Sequence, residues 1–550
     1  MYGSRGANGV IIIETKRGEM GSFKVNVNAW GAIYSSIEKP DFVGAYDYML
    51  LRNEAHKTQG LTAAFTDAEI ADAKSGKLRS TDWLDEVQSK VAHTYNTTAS
   101  ITGGGGVGRF NLMLGYNDEK GLTGLENSNK FSARFNTNIN LADKFIIMAD
   151  FYAHRLNVDR GFEKDYQNLP FEQAWKMNPT QQIFYDDAET GLDIPNHYAL
   201  YNDINPMAYI NEGGWRKNMH DRITINLRPR YYITPELHIA GDMSYMINKS
   251  ASKWERMTFK FYDKNGKPVT VWAHSVDSEQ NASTSQLTAR GTINYESRLR
   301  GEADKVYFVA GSEIMTTTYT NFNEYTKASF FGKGTYSFDD RYIAEVTVRG
   351  DGSSKFAPGN QWGFFPSASV AWNVHNEKFM GKLIENGIVD NLKFRFSFGR
   401  IGNENVSPYL WQEIVNTWGW TMRVPNPKFT WEKQKQWNAA VDFGILRNRL
   451  TGSFDIYKKH SYDLIYSDFP VPPLTGSYEL KTAMNIGEVD NKGLELSLNW
   501  SDKIGDHFRY SIGAMLFDNK NTVQKAGHTK DDVLVFKNDV NKIWYKGVPM

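Results

Sequence analysis

The chain has 550 residues, and 63 Lys+Arg are balanced by 63 Asp+Glu, so no global field draws it to nucleic acid or to an anionic membrane surface. Mean hydropathy is −0.53 and no run of ~18 apolar residues occurs, which excludes a transmembrane helix. Cysteine is absent, which excludes disulfides, thiolate metal sites and cysteine nucleophiles, and the 14% of aromatic residues against only 17 prolines favours β-structure over disorder or a helical bundle.

In chain order, Met1 is followed by Tyr-Gly-Ser-Arg-Gly rather than by a basic and then apolar leader. Val10-Ile11-Ile12-Ile13 is a continuous β-branched run, which predicts a strand buried on both faces. From Phe23 the pattern becomes a strict alternation. Phe23, Val25 and Val27 interleave with Lys24 and Asn26, and Phe131, Ala133 and Phe135 with Ser132 and Arg134. The same alternation sets Ile223, Ile225 and Leu227 against Thr224, Asn226 and Arg228, and Phe394, Phe396 and Phe398 against Arg395 and Ser397. About seventeen such segments of roughly ten residues follow one another, the length a tilted strand needs to cross a bilayer.

Connections alternate between short and long. Polar turns are predicted at 103–108, 141–144, 234–236, 300–304, 339–341, 447–449 and 502–507. Long segments are predicted at 35–92, 157–221, 249–285, 402–435 and 460–490, and the turn at 376–391 is longer than a short turn requires. Short on one side and long on the other is the habit of an outer-membrane barrel, whose polar lumen also accommodates Arg134, Arg228, Arg230 and Arg395 on inward faces. The predicted class is therefore all-β, a transmembrane antiparallel β-barrel. Within loop 35–92 the spacing of Phe42, Ala45, Tyr48, Met49 and Arg52 predicts a helix over 41–55, and Thr66-Asp67-Ala68-Glu69 predicts a capping box. Pro229, inside a strand, predicts a bulge.

Several motifs resemble one family. Residues 2–18, Tyr-Gly-Ser-Arg-Gly-Ala-Asn-Gly-Val-Ile-Ile-Ile-Glu-Thr-Lys-Arg-Gly, resemble the signature that closes the plug domain of SusC/RagA-type TonB-dependent outer-membrane transporters. So do residues 351–356 with 362–367, residues 424–433 with Trp437 and Asn438, and residues 485–493. The resemblance covers nearly the whole chain. It implies that residues 1–20 are the end of the plug, with its last strand, and residues 21–550 a partial barrel with long extracellular loops. It also implies 22 strands in the intact family against about seventeen here, so that the chain is expected to be an interior piece of a longer protein.

What the resemblance implies for function is import across the outer membrane of a Bacteroidota-type cell, without catalysis and without a cofactor. The expected partners are TonB, through a segment outside this chain, a SusD-like surface lipoprotein, outer-membrane lipid and an oligosaccharide ligand. A peptide importer of the same family is the alternative cargo, and a surface binding or adhesion protein the alternative class. No nucleic-acid partner is expected.

Gly103, Gly105 and Gly108 satisfy a G-x-G-x-x-G spacing, but Phe110, Leu112, Leu114 and Tyr116 continue as a strand rather than a helix, so the glycines mark a turn. Asp351-Gly352-Ser353-Ser354 lacks the remaining ligands of a calcium loop and is expected to be a plain turn. No metal site and no catalytic residue is assigned. In the plug signature, Tyr2, Gly3, Arg5, Gly6, Ala7, Asn8 and Gly9 are the site residues. The glycines permit tight turns and close approach, and Arg5 and Asn8 can bond to barrel-wall carboxylates. For ligand or lid contact the candidates are Tyr409, Trp411, Trp418 and Trp420 in one loop and Trp215, with Tyr209, in another, where flat aromatic faces suit sugar rings and Asn403, Asn405 and Gln412 suit hydroxyls.

Overall fold

The computed structural model describes residues 6, 12–88, 91–122, 126–161, 170–185, 197–199, 205–263, 265–271, 275–301, 303–320, 323–415, 421–471, 480–527, 533–535 and 543–547. One antiparallel sheet holds eighteen strands. They are β1 (Gly21–Tyr34), β2 (Ala92–Gly104), β3 (Gly108–Lys120), β4 (Asn127–Ala142), β5 (Phe145–Gly161), β6 (Gly214–Tyr232), β7 (Leu237–Arg256), β8 (Ser275–Leu299) and β9 (Asp304–Tyr319). The second half continues with β10 (Glu324–Phe338), β11 (Tyr342–Ser353), β12 (Trp362–Phe364), β13 (Ser367–Asn373), β14 (Val389–Asn403), β15 (Glu432–Ile445), β16 (Leu450–Tyr462), β17 (Glu488–Ile504) and β18 (Phe508–Lys525).

Each strand pairs with the next in chain order, except that β12 and β13 both pair with β11 and together make one interrupted stave. The sheet is thus seventeen staves wide. Its two outer strands, β1 and β18, have no partner on their far sides among the described residues, so the barrel does not close within them.

Alternation along each strand sorts the side chains as the sequence implies. Ile223, Ile225 and Leu227 are 41%, 43% and 43% exposed, and Phe394, Phe396 and Phe398 on β14 are 43%, 47% and 47% exposed. These outward faces carry the apolar residues that lipid contact requires, while Arg228, Arg290, Arg349 and Arg395 point to the polar inner face. No helix among the described residues is long and apolar enough to cross a membrane, which says nothing of strands.

Short connections fall at 105–107, 143–144, 233–236, 300–303, 339–341, 446–449 and 505–507, matching the predicted turns. The long ones are shorter than the sequence suggested. Observed strands run to Gly161, Arg256 and Tyr462 and restart at Gly214, Ser275 and Glu488, so connections span 162–213, 257–274 and 463–487. Polar alternation beyond the apolar band is still strand, because the ladder continues above the hydrocarbon where both faces meet water. Two connections at the long-loop end, 121–126 and 320–323, are also short in sequence.

The long turn on the short side, 374–388, is filled by two 3₁₀ turns and a short helix, Gly381–Glu385. Glu377 pins it. Its carboxylate accepts from Tyr342 Oη (2.6 Å), Trp372 Nε1 (3.0 Å) and an Arg341 guanidinium nitrogen (3.1 Å).

Three local expectations are corrected. Ile12 and Ile13 are exposed and in no strand, because no described strand pairs with that segment, and Val10 and Ile11 lie outside the described residues. Pro229 makes no bulge: the β6–β7 register is the same at Leu227–Met243 and at Arg230–Ala240. The missing N–H is absorbed by leaving out ladder bonds, and Gly241 stands opposite, where a Cβ would meet Pro229 Cγ at 3.1 Å. Asp351 is not in a turn; it lies in β11, fully buried, paired to Arg349 at 2.7 Å.

Candidate functional site

The described parts of the long loops pack on one another. Helices α1 (Ala45–Thr58), α2 (Asp67–Lys74) and α3 (Trp83–Val87) occupy the first loop. The predicted capping box is present, with Thr66 Oγ1 accepting from Glu69 N and the Glu69 carboxylate accepting from Thr66 N at 2.8 Å. Trp83 and Val87 of α3 share a buried cluster with Ala174, Ile183, Tyr198, Ala208 and Tyr209 of loop 162–213 and with Phe259 and Phe261 of loop 257–274. Three loops therefore have one core.

A second cluster gathers the family-like motifs. Phe356 and Phe365 from 354–366, Phe429 and Trp431 from 424–431 and Ala483 are all buried together. The Phe356 and Trp431 rings lie 4.8 Å apart, and Trp431 Nε1 donates to Gln361 O at 2.9 Å. Beneath this core runs a buried ionic cluster. Lys327 pairs with Glu404 at 3.3 Å, Lys355 Nζ donates to the Glu404 carbonyl at 3.3 Å and stands 4.2 Å over the Tyr325 ring, and Arg349 reaches Ser329 at 3.0 Å as well as Asp351. These contacts tie loop 404–431 to the rim of β10 and β11. An ion pair this buried contributes little net energy but fixes the geometry, since removing one partner strands the other charge.

The inner wall carries further pairs in which each arginine meets a carboxylate on a neighbouring strand. Arg395 makes a two-pronged contact with Asp442 at 2.7 and 2.9 Å, and Arg290 holds Glu313. Against this wall lies the segment before β1. Asn136 Nδ2 donates to Lys16 O at 2.8 Å and to Thr15 Oγ1 at 3.2 Å, and Arg17 donates to Asn138 Oδ1 at 2.7 Å and pairs with Asp150 at 3.1 Å. Gly18 passes so close to β3 that a Cβ would stand 2.3 Å from Phe110 N, which explains glycine at that position.

Of the expected plug-signature residues, Gly6 is described and half-buried, whereas Tyr2, Gly3, Arg5, Ala7, Asn8 and Gly9 lie outside the described residues. So do Trp418 and Trp420. Tyr409 has a positive φ of 63° and its hydroxyl donates to Glu324 O. Trp411, a candidate for ligand or lid contact, is half-buried against the second loop core. Trp215 is not in a loop but in β6, with Lys217 Nζ 5.1 Å over its ring, and Tyr209 belongs to the first loop core at 7% exposure. Asn403 donates to Glu432 at 3.2 Å, Asn405 N to Asn403 Oδ1, and Gln412 N to Tyr409 O. Tyr409 and Trp411 thus share loop 404–431 with different partners, and Trp215 lies apart from them in β6. Sequence reasoning missed Arg17, Asp150, Lys327 and Glu404, whose partners lie far along the chain. Among the described residues no group of three or more His, Asp or Glu is placed to hold a metal ion.

The family model described as "TonB dependent receptor-like, beta-barrel" matches residues 108–544. The chain is 26% identical over 570 aligned positions to TonB-dependent receptor P26 of Formosa agariphila, and 25% identical over 585 to TonB-dependent receptor SusC of Bacteroides thetaiotaomicron, covering 96% of this chain and 55% of each relative. It thus spans about half the length of the curated relatives it matches. Among solved structures, the RagAB peptide importer in its closed-closed state superposes with a TM-score of 0.80 at 20% identity, over the whole of this chain and 66% of that one. The outer membrane transporter YddB of Escherichia coli superposes with a TM-score of 0.57 at 8% identity, over 84% of this chain and 59% of that one.

Proposed function

This chain belongs to the TonB dependent receptor-like β-barrel family, as a SusC/RagA-type outer-membrane wall, and from that premise we propose that the whole protein imports glycan oligosaccharides actively and without catalysis. TonB drives the import, and a SusD-like lipoprotein lies over the long loops. Residues 1–20 are assigned to the end of the plug and 21–550 to the barrel. Tyr2, Gly3, Arg5, Gly6, Ala7, Asn8 and Gly9 are assigned to the plug signature.

The observation that carries the reading is the two-faced sheet, apolar outside and arginine-rich inside, with its long loops fused into packed cores at one end. Such a wall suits a water-filled passage, and such a cap suits a partner or a bulky ligand. Glycan is preferred because aromatic faces lie at the loop end. Trp175 (49% exposed) meets Phe42 edge-on at 5.9 Å, and Trp215, Tyr409 and the half-buried Trp411 add further rings at that end. Trp418 and Trp420 are assigned to the same ligand or lid surface. A peptide cargo is the second reading, supported by the RagAB peptide importer's sharing the fold.

The test is uptake of fluorescent oligosaccharides and peptides by cells carrying or lacking the full gene, with and without a protonophore. Energy-dependent glycan uptake lost on deletion is the expected result. Peptide uptake alone would replace the cargo, and surface binding without uptake would replace import by adhesion.

A further inference from the structure

The inner wall near the short-turn end holds a cleft of about 260 Å³ whose lining is unbalanced in charge. Four arginines, Arg228, Arg230, Arg290 and Arg349, face a single carboxylate, Asp242, with the His238 ring beside them. The carboxylates behind them are engaged: Asp150 holds Arg17 and Arg228, and Glu313 holds Arg290 and Arg349.

Arg230 is the exception. It makes no side-chain hydrogen bond or ion pair among the described residues, and it is exposed into the passage. Its charged neighbours include Arg17 and Arg228, and Arg228 Nε is itself buried without a partner. Arg17 and Arg228 share the one Asp150 carboxylate, so the Arg230 guanidinium beside them has no counter-charge of its own, which an anion supplies with two parallel N–H···O bonds from a carboxylate or sulfate. Position adds a direction. Counted along its own strand, Arg230 is two residues from the short-turn end of β6 and Arg290 nine from that of β8, whereas Arg349 is four residues from the loop end of β11, so an anionic group moving inwards meets arginines at successive heights.

We propose that Arg230, with Arg228 and His238, forms an anion-binding station low in the lumen wall, taking a carboxylate or sulfate group. The group has two sources: an acidic unit of the imported oligomer or an acidic side chain of the protein's own lumen-filling part. The proposal rests on the import reading for its first source only.

The experiment uses the full-length transporter in detergent at low ionic strength, with sulfated maltohexaose and neutral maltohexaose as probes. Variants are Arg230→Ala, Arg230→Gln and Arg230→Lys. For cargo as the source, the wild type binds the sulfated probe about ten-fold more tightly than the neutral one, Arg230→Ala and Arg230→Gln abolish the difference, and Arg230→Lys keeps most of it. For an internal carboxylate, probe binding is indifferent to charge, while Arg230→Ala and Arg230→Gln, but not Arg230→Lys, raise amide exchange across residues 12–20 several-fold. The proposal is overturned if neither probe preference nor exchange depends on the charge at 230. Binding and exchange are read on purified protein, so they fail independently of whether uptake requires energy or what the natural cargo is.

Discussion

Arg17 and Asp150 are separated by 133 residues in sequence, yet their side chains meet at 3.1 Å. The aspartate sits on the inner face of β5, only 11% exposed, and Arg228 of β6 reaches the same carboxylate. The segment that leads into the first wall strand is therefore fastened to the wall by a charge that the wall also uses to join two of its own strands.

Neutralising Asp150 tests that fastening. Asp150→Asn leaves two arginines unmatched and is expected to cost about 3 kcal/mol. Amide exchange of residues 14–18 in the full-length protein should rise, because Asn136 and Asn138 alone then hold the segment. Unchanged exchange would mean that those amides, and not the ion pair, do the holding.

Face parity makes a second prediction. An arginine at Ile225, on the outer face of β6, should destabilise the inserted protein by about 2–4 kcal/mol if near the midplane, and an arginine at the inward Thr224 by much less. Equal cost at the two positions, measured by reversible unfolding or by abundance in the outer membrane, would contradict the assignment of faces.

Gly241 leaves room for the ring of Pro229. With Pro229 Cγ 3.1 Å from where a Cβ would lie, Gly241→Ala should be mildly unfavourable and Gly241→Val should cost about 1–3 kcal/mol through overpacking. Pro229→Ala combined with Gly241→Val should recover most of that loss, which a double-mutant cycle would read directly.

The loop core separates structural from contacting aromatics. Trp431 is fully buried, so Trp431→Ala should cost about 3–5 kcal/mol and free loops 404–431 and 463–487 to protease. Half-buried Trp411 should lower abundance less. Loss of uptake at full abundance in Trp411→Ala would assign that ring to ligand or lid.

Glu377 predicts a pH response at the short-turn end. Hydrogen bonds from Tyr342 and Trp372, and then Arg341, hold its carboxyl below the ordinary carboxylate value. A depressed folded pKa means that the stabilisation is present above the unfolded value, ~4.3, and is lost as pH falls through the lower folded value. Amide protection in turn 374–388, taken relative to the intrinsic exchange rate at each pH, should hold down to about pH 5 and fall at more acid pH. In Glu377→Gln the turn should be looser at neutral pH, and the acid step should vanish.

The staves and their faces were legible in the sequence because a half-buried strand must alternate, and this alternation is local: Phe394, Phe396 and Phe398 announce an outer face whatever their neighbours are. The short turns were legible for the same reason, as was the capping box at Thr66 and Glu69, since each is satisfied within a few residues. Strand ends were not, because above the membrane no apolar step marks where a ladder stops. Nor could the effect of Pro229 be read from the proline alone, as it depends on the glycine opposite in the next strand. The exposed Ile12 and Ile13 show the converse: a run of β-branched residues forms a strand only when a partner edge lies beside it. The motifs at 351–367, 424–437 and 485–493 were visible as words, but only the tertiary structure shows that the first two, with Ala483 just before the third, enclose one core over Lys327 and Glu404. Arg17 with Asp150, and Arg230 among its like charges, were likewise decided by folding. Electrostatic pairing depends on distance in space, and antiparallel staves bring together charges that the sequence holds a hundred residues apart.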